Sequence, residues 1–182
     1  MGRAQSLKYP LGVKAVMVQE KQVKKLACFP GSFDPFTLGH LDVVEQALDV
    51  FDEVVIAIGK SGAKTSLFSF DERIESIQSL FPAKGRVQVQ AFQGLAVDFA
   101  ESIGACALIR GLRNESDFAY EMPMAMTNRS LNSRLKTVFF LTKTDFAYIS
   151  SSLVKEVFTN HGDVSGFVPQ KILTRLQKKY NR

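Results

Sequence analysis

The chain has 182 residues, of which 46% are hydrophobic, and this length and composition are typical of one globular domain with a sizeable core. No apolar run reaches the roughly 18 residues that a membrane helix needs. Lys14 interrupts the apolar stretch near the N-terminus that a signal peptide would require. We therefore expect a cytoplasmic protein with no membrane partner. The net charge of +5 is compatible with nucleic acid or with phosphorylated ligands and does not decide between them.

Residues 1–24 are basic and weakly patterned, and Met17 could equally begin the protein. We interpret them as a flexible N-terminal extension, and residues 25–182 as a single domain. Two cysteines, Cys28 and Cys106, each lie inside an apolar run and belong to no Cys-x-x-Cys pair or Cys/His cluster. We therefore do not expect a structural zinc site, and we expect two buried, reduced thiols.

Strands and helices alternate along the rest of the chain. Five apolar segments have the composition of buried strands: 26–29, 54–58, 87–91, 105–109 and 137–141. Helical patterns cover about 37–51, a segment opened by the capping box of Ser69 and Glu72, 95–103, 116–132, 150–160 and a segment beginning at Pro169. Pro123, inside the fourth helix, predicts a kink or a break. The pattern predicts an α/β fold, a doubly wound Rossmann-like parallel sheet of about five strands with helices on both faces.

The stretch from Phe29 to His40 joins the first strand to the first helix and has the composition of a phosphate site. Its glycines allow backbone N–H groups to approach a ligand closely, and the following helix start offers unpaired donors and a positive dipole end. His40 adds a donor whose charge can change near neutral pH. The loop therefore predicts a nucleotide-phosphate site with a built-in catalytic donor.

Polar residues follow the other strands, and ligands bind beyond the carboxyl ends of such sheets. Lys64 follows the second strand, Arg110 and Arg113 follow the fourth, and Lys143 and Ser150–Ser152 follow the fifth. Cations, hydroxyls and a helix start suit phosphoryl or nucleotidyl transfer, which needs positioning and neutralisation of charge. A phosphate nucleophile is already anionic near neutral pH and needs no general base.

Motifs of other chemistries are missing from the sequence. There is no Gly-x-Gly-x-x-Gly fingerprint after the first strand, no Walker A loop and no serine-hydrolase elbow. Hydride transfer, ordinary ATP hydrolysis and serine hydrolysis are therefore disfavoured.

Three motifs carry a family resemblance. Residues 30–35 followed by Thr37-Leu38-Gly39-His40 resemble the signature of the nucleotidyltransferase superfamily with the T/H-x-G-H motif. Residues 109–113 with 117–121, and residues 149–156, narrow the resemblance to the bacterial phosphopantetheine adenylyltransferase family. The similarity runs from about residue 25 to residue 179.

The resemblance implies a reaction in which ATP and 4′-phosphopantetheine give 3′-dephospho-coenzyme A and pyrophosphate, with Mg²⁺ carried by ATP and no protein side chain as metal ligand. It implies catalytic roles for His40 and Ser32, with His40 at the α-phosphate. It implies that Ser32, Lys64, Ala96 and Arg110 bind phosphopantetheine. It also implies an ATP-binding set: Ser32, Phe33, His40, Gly111, Leu112, Arg113, Glu121, Phe146, Ala147, Tyr148, Ile149, Ser150, Ser151 and Ser152. The family is hexameric, so a homohexamer with no nucleic-acid partner is expected.

The chain departs from the family pattern at two positions. Ser32 stands where the family commonly has threonine, and Thr65 stands where the family frequently has a second basic residue.

Several interpretations compete with the one that the resemblance implies. Arg113 at helical spacing could form an ion pair with Asp117 or Glu121, and the serines could cap a helix. A sister nucleotidyltransferase that uses nicotinate mononucleotide or glycerol phosphate, or a non-catalytic nucleotide- or RNA-binding module, would share parts of the pattern.

Overall fold

The computed structural model describes residues 24–60 and 66–181. The predicted N-terminal extension lies outside the described residues except for Lys24. The described elements, in chain order, are β1 Leu26–Gly31, α1 Leu38–Val50, β2 Glu53–Gly59, α2 Phe70–Gln78, β3 Val87–Phe92, α3 Ala96–Ser102, β4 Ala107–Leu112, α4 Glu115–Leu131, β5 Lys136–Leu141, a 3-10 turn Thr144–Phe146, α5 Ser151–Thr159 and α6 Gln170–Lys179. All five strands and all six helices were predicted to within a few residues, whereas the 3-10 turn was not.

The five strands form one parallel sheet in the order β3-β2-β1-β4-β5. Alternate residues of the strands face two cores. One core joins the sheet to α1, α2, α5 and α6, and the other joins Cys28, Ala57 and Leu108 to α3. Phe118 of α4 contacts Phe139 of β5, with ring centroids 5.7 Å apart. The predicted doubly wound, Rossmann-like fold with helices on both faces is confirmed.

The strand order reverses between β1 and β4, and these two strands separate along their length. β1 pairs with β2 from end to end, but it pairs with β4 only through Ala27 and Cys28. Beyond that point the side chain of Arg110 bridges the gap, because its Nη1 donates to the carbonyl of Pro30 at 3.1 Å. The opening lies at the carboxyl ends of the strands, where the polar residues were predicted to converge.

Two local expectations were wrong in part. Helix α4 runs unbroken through Pro123, so the proline does not end the helix. Pro123 is exposed and has no N–H, so one carbonyl in the preceding turn has no intrahelical donor. Because no residue of this helix is buried, water can donate to that carbonyl. Cys28 is buried as expected, but Cys106 is exposed because it lies just before β4.

Helix α4 keeps a large apolar surface exposed. Its side chains include Tyr120 at 70% exposure, Met126 at 66% and Leu131 at 58%, and none of its residues is buried. Exposed apolar surface of this extent is typical of an interaction surface. None of the described helices is long and apolar enough to cross a membrane.

Candidate active site

A cavity of about 300 Å³ opens where β1 and β4 separate. The loop after β1 forms one wall, and Phe33 in this loop has a backbone φ of 48°, in the left-handed region that a bulky residue rarely adopts. Its ring lies so close to Gly31 that a Cβ on that residue would approach it within 2.7 Å. Glycine at position 31 is therefore required by the neighbouring aromatic ring.

His40 lies in the first turn of α1, and Thr37 fixes its orientation. The backbone N–H of Thr37 donates to Nδ1 of His40 at 3.0 Å, while the Thr37 hydroxyl accepts from the His40 N–H and completes a capping box. Because Nδ1 accepts, the proton of the neutral ring lies on Nε2. His40 lines the cavity, and Nε2–H has no partner among residues 24–60 and 66–181. The ring thus offers one oriented donor to a ligand.

The surroundings of His40 keep this donor neutral. The imidazole lies against the rings of Phe29, Phe33 and Phe36, with centroid distances of 6.2, 5.1 and 5.3 Å. Burial lowers the pKa of His40 to about 4, and the positive charge of Arg113 acts in the same direction. A neutral imidazole at physiological pH donates a hydrogen bond without bringing a charge that must be desolvated.

Arg110 lies within β4 rather than after it as expected, Arg113 follows the strand, and each is held by a carboxylate. Arg110 forms a bidentate ion pair with Glu121, in which Nε donates at 2.6 Å and Nη2 donates at 2.5 Å. Arg113 donates from Nε and Nη2 to Asp117, both at 2.8 Å, and the pair raises the pKa of Arg113 and lowers that of Asp117. The alternative of an Arg113–Asp117 ion pair is therefore correct, and it fixes the guanidinium planes at the cavity wall.

The serines begin α5 at the opposite wall. The hydroxyl of Ser150 caps the helix by accepting from the N–H of Leu153 at 3.0 Å. The Ser151 hydroxyl donates to the carbonyl of Pro35 at 2.8 Å, which ties α5 to the loop after β1. The N-termini of α1 and α5 thus both border one cavity, an arrangement that favours an anion.

A second cavity, of about 460 Å³, adjoins the first. Pro30, Gly31, Ser32, Arg110 and Glu121 line both. The rest of its lining is mostly apolar and comes mainly from α4, the end of β3 and the start of α3 with the segment before it, including Phe92, Leu95, Ala96, Met124 and Leu131. A ligand with a charged end and an apolar body would fit it, with the charged end at the shared wall.

Comparison with known proteins identifies the family. A family model described as cytidylyltransferase-like matches residues 28–157. The phosphopantetheine adenylyltransferase of Geobacter metallireducens is 44% identical over 87% of this chain and 98% of its own. That of Lachnoclostridium phytofermentans is 46% identical over 86% and 96%, and that of Cytophaga hutchinsonii is 49% identical over 82% and 100%.

The chain belongs to the phosphopantetheine adenylyltransferase family. A crystal structure assigned to a nicotinate-nucleotide adenylyltransferase of Vibrio parahaemolyticus superposes with a TM-score of 0.62, at 17% identity, over 85% of this chain and 99% of that one. At this identity the likeness shows the fold alone.

The structure brings most of the residues implied by the family resemblance to the two cavities. Those that line the first cavity are Ser32, Phe33, His40, Arg110, Gly111, Arg113, Glu121, Ile149, Ser150 and Ser151, while Ala96 lines the second. Five implied residues line neither: Leu112, Phe146, Ala147, Tyr148 and Ser152. Lys64 lies outside the described residues.

Two residues that were not among the predicted site residues hold their neighbours in place, although Thr37 belongs to the T-x-G-H motif. Thr37 orients His40 through a capping box. The sequence pattern of a capping box has glutamate or glutamine three residues after the cap, and His40 occupies that position here, so the pattern did not indicate the contact. Asp42, which is buried, accepts from the backbone N–H of Lys143 at 2.9 Å and pairs with its ammonium group at 3.1 Å. A lone aspartate in an apolar helix face gave no signal for this long-range contact.

The protonation of His40 can be measured directly. We expect one imidazole resonance to titrate near pH 4, because burial and Arg113 oppose the charged ring. Proton or nitrogen NMR over pH 3–8 would detect it, and the only other histidine, His161, provides a matched control. The resonance should persist in His161→Gln and vanish in His40→Gln; a His40 resonance that titrates near 6.5 would contradict the neutral-donor assignment.

The same shift affects stability. The folded-state pKa of about 4 lies below the ordinary value of 6.5, so the unfolded chain binds this proton first as the pH falls. Between these values His40 makes the free energy of unfolding decrease as the pH falls. Urea unfolding in this pH window should show a shallower pH dependence for His40→Gln than for the natural chain.

Proposed function

We propose that this chain transfers the adenylyl group of ATP to 4′-phosphopantetheine, giving 3′-dephospho-coenzyme A and pyrophosphate. The observation that carries the proposal is the pair of adjoining cavities with one wall in common. One cavity is polar and bordered by two helix N-termini, and the other is largely apolar. The relatives that this chain matches over nearly their whole length are named for this activity.

In this proposal the first cavity holds ATP. Phosphates lie against the N-termini of α1 and α5, where unpaired N–H groups and helix dipoles favour negative charge. The neutral Nε2–H of His40 donates to an oxygen of the α-phosphate and stabilises the charge that grows there during attack. The ordered guanidinium of Arg113 has N–H groups left over from its pair with Asp117, and these face the nucleotide.

The acceptor occupies the second cavity in this proposal. Its pantetheine arm lies along Leu95, Ala96 and Met124, and its phosphate meets Arg110 at the shared wall. Ser32 lies at the same wall, so the attacking phosphate oxygen and the α-phosphorus approach each other beside its hydroxyl. The phosphate attacks in line and pyrophosphate leaves, so no covalent enzyme intermediate is needed.

Magnesium is the cofactor that we propose, bound to the phosphates of ATP. Within the described residues no group of three or more His, Cys, Asp or Glu side chains could hold a metal ion. The two cavity carboxylates, Asp117 and Glu121, are engaged by arginines. This donor set fits a cation that keeps water and substrate phosphates as ligands, as Mg²⁺ commonly does, and that neutralises the leaving group.

A direct assay tests the proposed reaction. The protein, ATP and Mg²⁺ would be incubated with 4′-phosphopantetheine, nicotinate mononucleotide, glycerol phosphate or RNA, while pyrophosphate release is followed. We expect release only with phosphopantetheine. His40→Ala should lower kcat about a hundredfold or more with a much smaller change in the KM for ATP, since its donor acts on charge formed in the transition state.

His161→Ala serves as the control for that variant, because His161 lies outside both cavities. Pyrophosphate release with nicotinate mononucleotide or glycerol phosphate would contradict phosphopantetheine as the acceptor and would indicate the sister nucleotidyltransferase activity instead. No release with any acceptor would refute the enzyme assignment, and RNA binding with a steep salt dependence would then favour the binding module.

The Arg110–Glu121 pair allows the acceptor site to be tested separately. Arg110→Ala removes the proposed phosphate ligand and also leaves Glu121 as an unpaired negative charge, so we expect phosphopantetheine affinity to fall about tenfold or more. The double variant Arg110→Ala/Glu121→Gln removes that repulsion, so calorimetry should show part of the affinity restored. Equal affinities in the natural chain and both variants would exclude Arg110 from the acceptor site.

We also propose that the chain self-associates through α4, as a homohexamer if it follows the family. The exposed Tyr120 and Met126 support this, since neither lines a cavity and both are large apolar side chains. Burying such a face against a second copy removes apolar surface from water. The cytoplasmic location and the lack of a nucleic-acid partner stay predictions.

The assembly can be tested by light scattering coupled to size-exclusion chromatography. Met126→Glu should lower the mass of the particle at micromolar concentration, because a carboxylate would be buried in the contact. Val50→Glu is the matched control: Val50 is a large apolar residue at 56% exposure at the end of α1, and its substitution should leave the mass unchanged. A monomeric natural chain would contradict the proposal.

A further inference from the structure

Arg73 of α2 is a buried cation without a carboxylate partner in the described part of the chain. The residue is 5% exposed, and none of the ion pairs among residues 24–60 and 66–181 includes it. The neighbouring segment 61–65 contains no acidic residue. Its guanidinium lies 5.6 Å from the centre of the Phe70 ring, and within residues 24–60 and 66–181 it donates only to backbone carbonyls. Stability alone would favour an apolar side chain or a paired charge at such a position.

The stronger of its hydrogen bonds reaches the loop of the candidate active site. Nη1 of Arg73 donates to the carbonyl of Ser32 at 2.8 Å, whereas Nε reaches the carbonyl of Ser69 only at 3.4 Å. Ser32 lines both cavities, but Arg73 lines neither. Arg73 can therefore affect a ligand only through the loop and through its charge.

The Ser32 carbonyl belongs to the peptide unit that ends at the N–H of Phe33. In a planar trans peptide the C=O and N–H point in opposite directions, so a carbonyl held towards α2 directs this N–H away from α2. The Phe33 N–H has no hydrogen-bond partner among the described residues. Phe33 lines the first cavity, and its φ of 48° is a conformation that persists only when surrounding contacts enforce it.

We propose that Arg73 is a positioning residue for nucleotide binding. It holds the Ser32–Phe33 peptide so that the Phe33 N–H is available to a phosphate, and it places behind that peptide a positive charge that has no carboxylate partner among the described residues. The charge polarises the peptide in the direction that strengthens its N–H as a donor. Dipoles fixed in this way before the ligand arrives need no reorganisation when it binds. The inference rests on the proposed function only in taking ATP as the ligand of the first cavity.

Two substitutions separate the charge from the hydrogen bond. Arg73→Lys keeps the charge and one donor, and Arg73→Gln keeps a neutral donor and removes a buried charge, which favours folding. Mg·ATP affinity would be measured by calorimetry and stability by thermal unfolding. We expect Arg73→Gln to bind Mg·ATP about tenfold or more weakly, and Arg73→Lys to remain within about threefold of the natural chain.

Arg86→Gln is the matched control. Arg86 also donates to backbone carbonyls, those of Leu48, Phe51 and Asp52, but it lines neither cavity. It should lower the unfolding temperature and leave Mg·ATP affinity unchanged within about twofold, because its contacts are structural.

Three results would overturn the proposal. They are an Mg·ATP affinity of Arg73→Gln equal to that of the natural chain, a loss of Mg·ATP affinity in Arg86→Gln equal to that in Arg73→Gln, and no Mg·ATP binding by the natural chain. Binding of Mg·ATP without phosphopantetheine-dependent pyrophosphate release would instead refute the proposed reaction and leave the role of Arg73 intact.

Discussion

A proline in the central strand is the constraint on which the site depends. Pro30 has no N–H, and its carbonyl accepts from Arg110 of β4. In an extended strand the N–H and C=O of one residue point to the same side, so the missing donor faces β4. A ladder bond cannot form there, and β1 leaves β4 after Cys28. The two cavities occupy the resulting opening, which an uninterrupted ladder would close.

Among the described residues, the charged side chains that line the two cavities cancel in pairs. Arg110 is matched by Glu121 and Arg113 by Asp117, while His40 is neutral near physiological pH. These side chains therefore supply directed N–H donors without a large excess of positive charge. Each carboxylate holds a planar guanidinium in one orientation, so that the remaining N–H groups point in fixed directions. In the proposed transfer, donors fixed in this way stabilise the transition state, in which charge builds on the α-phosphate. They do this more than they attract anions in general.

Much of the fold follows from patterns that act over short distances. The continuous apolar run Val54–Ile58 is buried on both faces as predicted for a parallel strand, and the capping box of Ser69 and Glu72 begins α2 as predicted. The placement of polar residues at strand ends also follows, because parallel strands bring their carboxyl ends to one edge. His40 and Arg110 meet at one cavity for this reason.

The unpredicted features depend on contacts between distant elements. The Arg110–Glu121 pair joins a strand to a helix, and residue spacing alone could not distinguish it from a pair of ligand-binding residues. The pKa of His40 depends on phenylalanine rings whose packing is set by the turn at Phe33. The unbroken α4 also overrides a local preference, because a proline costs one hydrogen bond while sixteen other residues continue the helix.

The loop after β1 is finally shaped by two arginines from different elements. Arg110 of β4 holds the carbonyl of Pro30, and Arg73 of α2 holds the carbonyl of Ser32. The two carbonyls lie two residues apart and are held by different elements, a strand and a helix. Gly31 lies between them, and a Cβ there would meet the Phe33 ring, while the left-handed φ of 48° follows directly after Ser32, at Phe33. Ser32 lies at the wall that the two cavities share, which is where the proposed reaction needs a hydroxyl and a free amide.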